Sequence, residues 1–239
     1  MPGIRRATAV ALAAVAAAVL LAACTASLPA PAPTASAPAT VDACDGLQLE
    51  VGSVIPGPKL GACVEERMRA ANTFHATGTV ENDKARHNTA LVSFDPFQIS
   101  LDTDDEDDPH ALIITDDATW GLFGQEWVSA DSGDPRATAM TPLTLLTLTT
   151  YSAGSVAELL SSADAWTVSG SADAGWTLQP GTPPSMLGVA LDGAALTVGD
   201  DWLPTRTVAT GTFDAMATTF TQDYTDWGSE LDFPPVPAS

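Results

Sequence analysis

Short segments in which apolar and polar residues alternate, each closed by a turn signal, fill two long stretches of this chain and narrow its possible architectures. They lie at 74–80, 88–94, 97–101, 110–115 and 119–129, and again at 165–170, 175–179, 203–211 and 214–226. Alternation with a period of two places one set of side chains on each face of a strand. Asp95-Pro96 and Asp116-Asp117 supply turns between these runs, and Asp192-Gly193 is expected at the tip of a further hairpin. Connections this short join antiparallel neighbours, because parallel pairing needs a crossover of a dozen residues or more.

The helical signals are fewer. "CVEERMRAANTF" (63–74) spaces Val64, Met68 and Ala71 for one apolar face. Between the two strand blocks, "TPLTLLTLTTYSAGSVAELLSSA" (141–163) reads as two short helices broken near Ala153-Gly154, with Thr141-Pro142 as N-cap and first helical residue. The expected class is α+β: a curved antiparallel sheet with a few short helices covering one face. What fills the space between sheet and helices would then decide function. The leucines of 141–163 and the aromatic residues of "TWGLFGQEWV" are either core or the lining of an apolar cavity. The cavity candidates are Trp120, Phe123, Trp127, Leu145, Leu146, Leu148, Leu159 and Leu160.

The N-terminal residues read as an address. Arg5 and Arg6 precede the apolar run "ATAVALAAVAAAVL" and a small-residue cleavage site, the pattern of an exported precursor. Leu21-Ala22-Ala23-Cys24 resembles a bacterial lipobox, in which the cysteine is acylated and becomes the first mature residue; the alternative is an ordinary secretory signal with a chance cysteine. The expected organisation is a signal peptide at 1–23, lipidated Cys24 with a linker to residue 40, and one domain at 41–239. The linker holds prolines 29, 31, 33 and 38 and would extend at ~3.1 Å per residue.

Composition then excludes partners. The chain has 9 basic and 30 acidic residues, a formal charge of −21. Phosphate backbones and anionic headgroups would be repelled, so no nucleic acid is expected, and membrane attachment must come from acyl chains rather than basic residues. With Cys24 lipidated, Cys44 and Cys63 remain as an even pair in an oxidising compartment. A bridge between them is the expected state; two free thiols lack a CxxC spacing or a nearby histidine for metal or redox work.

Catalytic motifs do not appear. His75, His87 and His110 do not form HExxH, and the chain has no nucleophile elbow, P-loop or dinucleotide fingerprint. No enzyme activity, cofactor or metal is expected. "DTDDEDDP" (102–109) lacks the glycine and distant glutamate of an EF-hand, and reads as a solvated hairpin tip or a weak Ca²⁺ site.

The C-terminal residues carry a resemblance. "DDWLPTRTVATG" (200–211) followed by "FTQDYTDWGSELDFPPVP" (220–237) resembles the ending of the actinobacterial LppX/LprAFG-type lipoproteins. The matches are Leu203, Pro204, Arg206 and Val208, then Tyr224, Asp226, Trp227, Gly228 and the Pro234-Pro235 tail. The resemblance implies a LolA-like half-barrel, in which a strongly curved antiparallel sheet and its helices enclose a hydrophobic cavity. It implies a protein held by its lipid at the extracytoplasmic face of the cell membrane, carrying a lipid or lipoglycan through the envelope. A non-catalytic module with a packed core, recruiting another envelope protein, is the other expectation.

Overall fold

The computed structural model describes residues 42–104, 109–172, 175–186, 188–213 and 215–237. Cys24, the linker and the acidic residues 105–108 lie outside them. The chain order is β1 (Val54–Pro56), α1 (Gly57–Ala71), β2 (Thr73–Glu81), β3 (Ala85–Phe94), β4 (Phe97–Thr103), β5 (Ala111–Thr115), β6 (Thr119–Phe123) and β7 (Glu126–Ser129). There follow α2 (Ala137–Tyr151), α3 (Ala153–Ser161), β8 (Ala165–Ala172), β9 (Gly175–Pro180), β10 (Ser185–Met186), β11 (Val189–Val198), β12 (Pro204–Phe213) and β13 (Met216–Thr225). One open antiparallel sheet of 13 strands contains them all, in the order β1-β8-β9-β11-β12-β13-β2-β3-β4-β5-β6-β7, with β10 paired to β11. The class is therefore α+β.

The two strand blocks meet at the centre of the sheet, where β13 pairs with β2 from Thr219↔Glu81 to Thr225↔His75. Alternation sets the faces. Phe74, Ala76 and Gly78 of β2 are buried, while Thr77 between them is exposed. Laid flat at ~4.8 Å per strand, the eight strands from β8 to β4 would span about 34 Å. Yet Trp166 of β8 and Leu101 of β4 line the same cavity, so the sheet curves. Helix α1 packs against β1 and β8, α3 packs against α1, and α2 reaches β6 near the opposite edge.

Helix α1 starts six residues earlier than its apolar spacing implied, with a proline in its first turn. Gly57 and Gly61 explain its seat on α3: a Cβ on Gly61 would lie 2.6 Å from the Ala157 carbonyl oxygen, closer than packing allows. A disulfide joins Cys44 to Cys63, with Cα atoms 4.6 Å apart. The same segment is held by an Arg67–Asp42 ion pair at 2.6 Å and by the Ala43 N–H donating to Glu66 Oε2 at 2.8 Å. The Cys44 N–H and the Arg67 guanidinium hold the Asp42 carboxyl below its ordinary pKa.

Three local expectations are corrected. Asp192-Gly193 is not a hairpin tip; it lies inside β11, where the pairing with β12 slips between Leu191 and Gly193. Thr141-Pro142 is not a helix start, because α2 begins at Ala137 and Pro142 falls within it. Arg136 is the N-cap, and Asp134 closes the turn ahead of it, accepting the Arg136 N–H on Oδ1 at 2.8 Å and the Ala137 N–H on its carbonyl at 3.0 Å. The run 119–129 is two strands, β6 and β7, with Gly124 turning between them at φ 62°.

An apolar cavity between the sheet and two helices as the candidate functional site

The inner face of the central strands carries unusually small side chains. Gly78 of β2, Ala194 of β11 and Ala209 of β12 stand where a packed core would place large ones, and Ala194 and Ala209 are directly opposed. The result is a cavity of about 390 Å³, within the ~300–1,000 Å³ of small-molecule sites. Leu143 and Leu146 of α2 and Val156, Leu159 and Leu160 of α3 form its helical wall. Val80, Leu101, Ala209, Leu196 and Phe220 form the sheet wall. Trp166 closes one side, its indole N–H spent on the Leu160 carbonyl at 2.8 Å.

Helix α2 is rich in threonine, yet its hydroxyls do not make the wall polar. Thr147, Thr149 and Thr150 donate to the carbonyls of Leu143, Leu145 and Leu146, each four residues back, at 2.7, 2.8 and 2.8 Å. Hydroxyls bonded to their own helix leave the methyl groups as the outward surface.

A polar group of three interrupts this lining. Gln222 of β13, Gly78 of β2 and Asn88 of β3 are directly opposed across three adjacent strands. The hydroxyl of Tyr151, the last residue of α2, lies 2.8 Å from Asn88 Oδ1 and 3.1 Å from Gln222 Oε1. Gly78 is necessary below them, since a Cβ there would be 2.5 Å from each of those oxygens. Burial pushes the Tyr151 phenol well above its ordinary range, and Tyr224 beside it adds to the shift. Tyr224 is itself pushed up to about 12 by burial, against a hydrogen bond with Thr207.

Of the eight cavity candidates, Leu146, Leu159 and Leu160 line the cavity. The other five do not. Trp120 pairs with Ile113 while its neighbour Gly121 faces Met140 of α2, so the Trp120 ring points to the opposite face of the sheet. Trp127 pairs with Leu122 on that outer face. Phe123 faces inward but lies beyond the cavity, beneath Arg136 at 5.6 Å from the ring centroid. Arg136 also holds Asp134 at 2.7 Å and Glu126 at 3.0 Å, and the Asp134 carboxyl is lowered to about 2, mainly by that guanidinium. Leu145 is 54 % exposed on the solvent side of α2, and Leu148 packs into the core beside the cavity.

Tyr151, Gln222 and Asn88 were not among the candidates. Their signal was available: "HNTALVSF" places Asn88 in phase with Ala90 and Val92, and "FTQDY" places Gln222 in phase with Phe220 and Tyr224. A polar residue on the apolar phase of a strand points inward and must find a partner there.

The tryptophan-bearing end of the chain is structural. The Trp227 ring packs tilted against Phe74, centroids 4.5 Å apart, and its indole N–H donates to the Pro204 carbonyl at 2.8 Å. The Gly228 N–H and the Ser229 carbonyl then pair with Thr73, and Gln98 reaches Pro234. Among the described residues no helix is long and apolar enough to cross a membrane, and no group of three metal-ligating side chains occurs. No protein-family model matches this chain, and no curated protein matches it in sequence.

Proposed function

We propose that this protein binds and carries a lipid or lipoglycan by its acyl chain within a bacterial cell envelope, as a half-barrel of the LolA-like type held at the extracytoplasmic membrane face by a lipid on Cys24. The observation that carries this reading is the cavity of about 390 Å³ between α2, α3 and the concave sheet, lined mainly by leucine, alanine, valine and threonine methyl groups. An apolar cavity of this kind recognises shape and area rather than charge. Each methylene taken from water contributes about 0.8 kcal/mol, so ten would supply about 8 kcal/mol before the cost of association. The resemblance of the C-terminal strands to the LppX/LprAFG-type lipoproteins points the same way. The chemistry asked of the protein is burial, with no bond made or broken.

The test is to purify the chain from an actinobacterial host, extract it with organic solvent without hydrolysis, and analyse the extract by mass spectrometry. Acyl lipid near one equivalent per chain is the expected result. A folded protein that releases no lipid and takes up none on addition would refute the carrier reading and leave the interaction module.

A further inference from the structure

We infer that the cavity contains a subsite for one uncharged hydrogen-bonding group of its ligand, an ester or amide carbonyl or a hydroxyl, centred on Gln222. The inference rests on the carrier reading and adds a polar requirement to it. Gln222 is only 6 % exposed, lines the cavity, and its Nε2 has no hydrogen-bond partner. A buried amide left so costs about 1–3 kcal/mol.

Turning the amide does not remove the deficit. The Tyr151 hydroxyl has one proton and stands against two oxygens, Asn88 Oδ1 and Gln222 Oε1. If Gln222 is reversed, its NH₂ donates to the tyrosine oxygen and its Oε1 becomes the atom without a partner. In either orientation one amide atom of Gln222 is buried without a partner, so a ligand group reaches it by a turn of the side chain, and the Gly78 notch keeps both amides seated above the sheet. The participants are a phenol held protonated and two amides, so an uncharged hydrogen-bonding partner fits beside them. Arg86, two residues along β3, also lines the cavity and donates from Nη1 to Asn82 Oδ1 at 3.4 Å. A purely apolar ligand would leave Gln222 unsatisfied, so the subsite selects lipids whose linkage region enters the cavity.

The experiment titrates the purified full chain, wild type and Gln222→Met, with methyl 12-bromododecanoate, 12-bromododecan-1-ol and 1-bromododecane. Bromine quenches tryptophan on contact, and Trp166 is the tryptophan that lines the cavity. The wild type is expected to favour the ester or the alcohol over bromododecane by about five- to tenfold more than the variant does. Preference for the ester assigns Nε2 as donor, and preference for the alcohol without the ester assigns Oε1 as acceptor. Equal preference ratios in the two proteins, with all probes bound, would overturn the subsite and leave the carrier reading standing. Quenching by none of the probes would overturn both. If Gln222→Met does not fold, the wild type decides alone: with each affinity corrected for transfer from water to decane, bromododecane must bind more weakly than one of the polar probes.

Discussion

Replacing Ala209 with leucine tests the cavity directly, because a packed core and an open one respond with opposite signs. Ala209 is 3 % exposed, faces inward from β12 and lines the cavity opposite Ala194. In a filled core the three added carbon groups would strain their neighbours, at about 1–3 kcal/mol. Here they enter the cavity that Ala209 lines. Burying them contributes about 2.4 kcal/mol at 0.8 per group, from which leucine rotamer entropy removes about 0.5–1 kcal/mol. The lipid-free Ala209→Leu protein is therefore expected to be more stable by about 1.5 kcal/mol. Urea unfolding reads this as a higher midpoint at unchanged slope, and lipid recovered from the variant should fall. A loss of 1 kcal/mol or more, with the fold intact, would refute the reasoning and mean that packed side chains fill this space.

Three further outcomes follow from the same packing. Phe74→Ala removes a fully buried ring in contact with Phe94, Tyr151, Tyr224 and Trp227, so denaturant unfolding should show a loss of about 3–5 kcal/mol; a loss under 1 kcal/mol would contradict the placement of that ring. The double change Cys44→Ser with Cys63→Ser should cost about 3 kcal/mol from loop entropy, and a variant equal to wild type in thermal unfolding would contradict it. Tyr151 and Tyr224 are the two tyrosines of the chain, and burial raises both, Tyr224 to about 12. Their stabilising contribution is complete below pH 10 and falls as pH rises from 10 towards 12, because the unfolded chain loses those protons first. Tyrosinate absorbance should stay low in that window until the protein unfolds, and smooth titration near pH 10 in the folded state would oppose the burial.

The sheet was legible because most of its strands alternate cleanly and their turns are short. β2, β3 and β4 fall close to their apolar phase, and the break between α2 and α3 falls at Ser152, which caps the next helix by accepting the Ser155 N–H. Three-residue β1 left no periodic signal, since Val54–Pro56 pairs with Thr167, Trp166 and Ala165 more than a hundred residues away. Asp192-Gly193 misled for a related reason: the same dipeptide that closes a hairpin also accommodates a bulge, and only long-range pairing distinguishes the two. The cavity was half legible. Leu146, Leu159 and Leu160 of the leucine-rich helical segment line the cavity, whereas Trp120, Phe123 and Trp127 do not. A cavity is made by absent volume, and its signature lay in Gly78, Ala194 and Ala209 rather than in Trp120 or Trp127.

The Cys44–Cys63 bridge has a mechanical consequence. Any pull arriving from residues before Asp42 meets the disulfide two residues later and passes directly into the middle of α1. Residues 45–62 are thereby bypassed, and they include β1, an edge strand held by three paired residues. A tension that would otherwise peel that edge from β8 is delivered instead to a helix clamped by its glycines against α3. The covalent shortcut diverts tension from the segment before Asp42 away from that edge of the sheet.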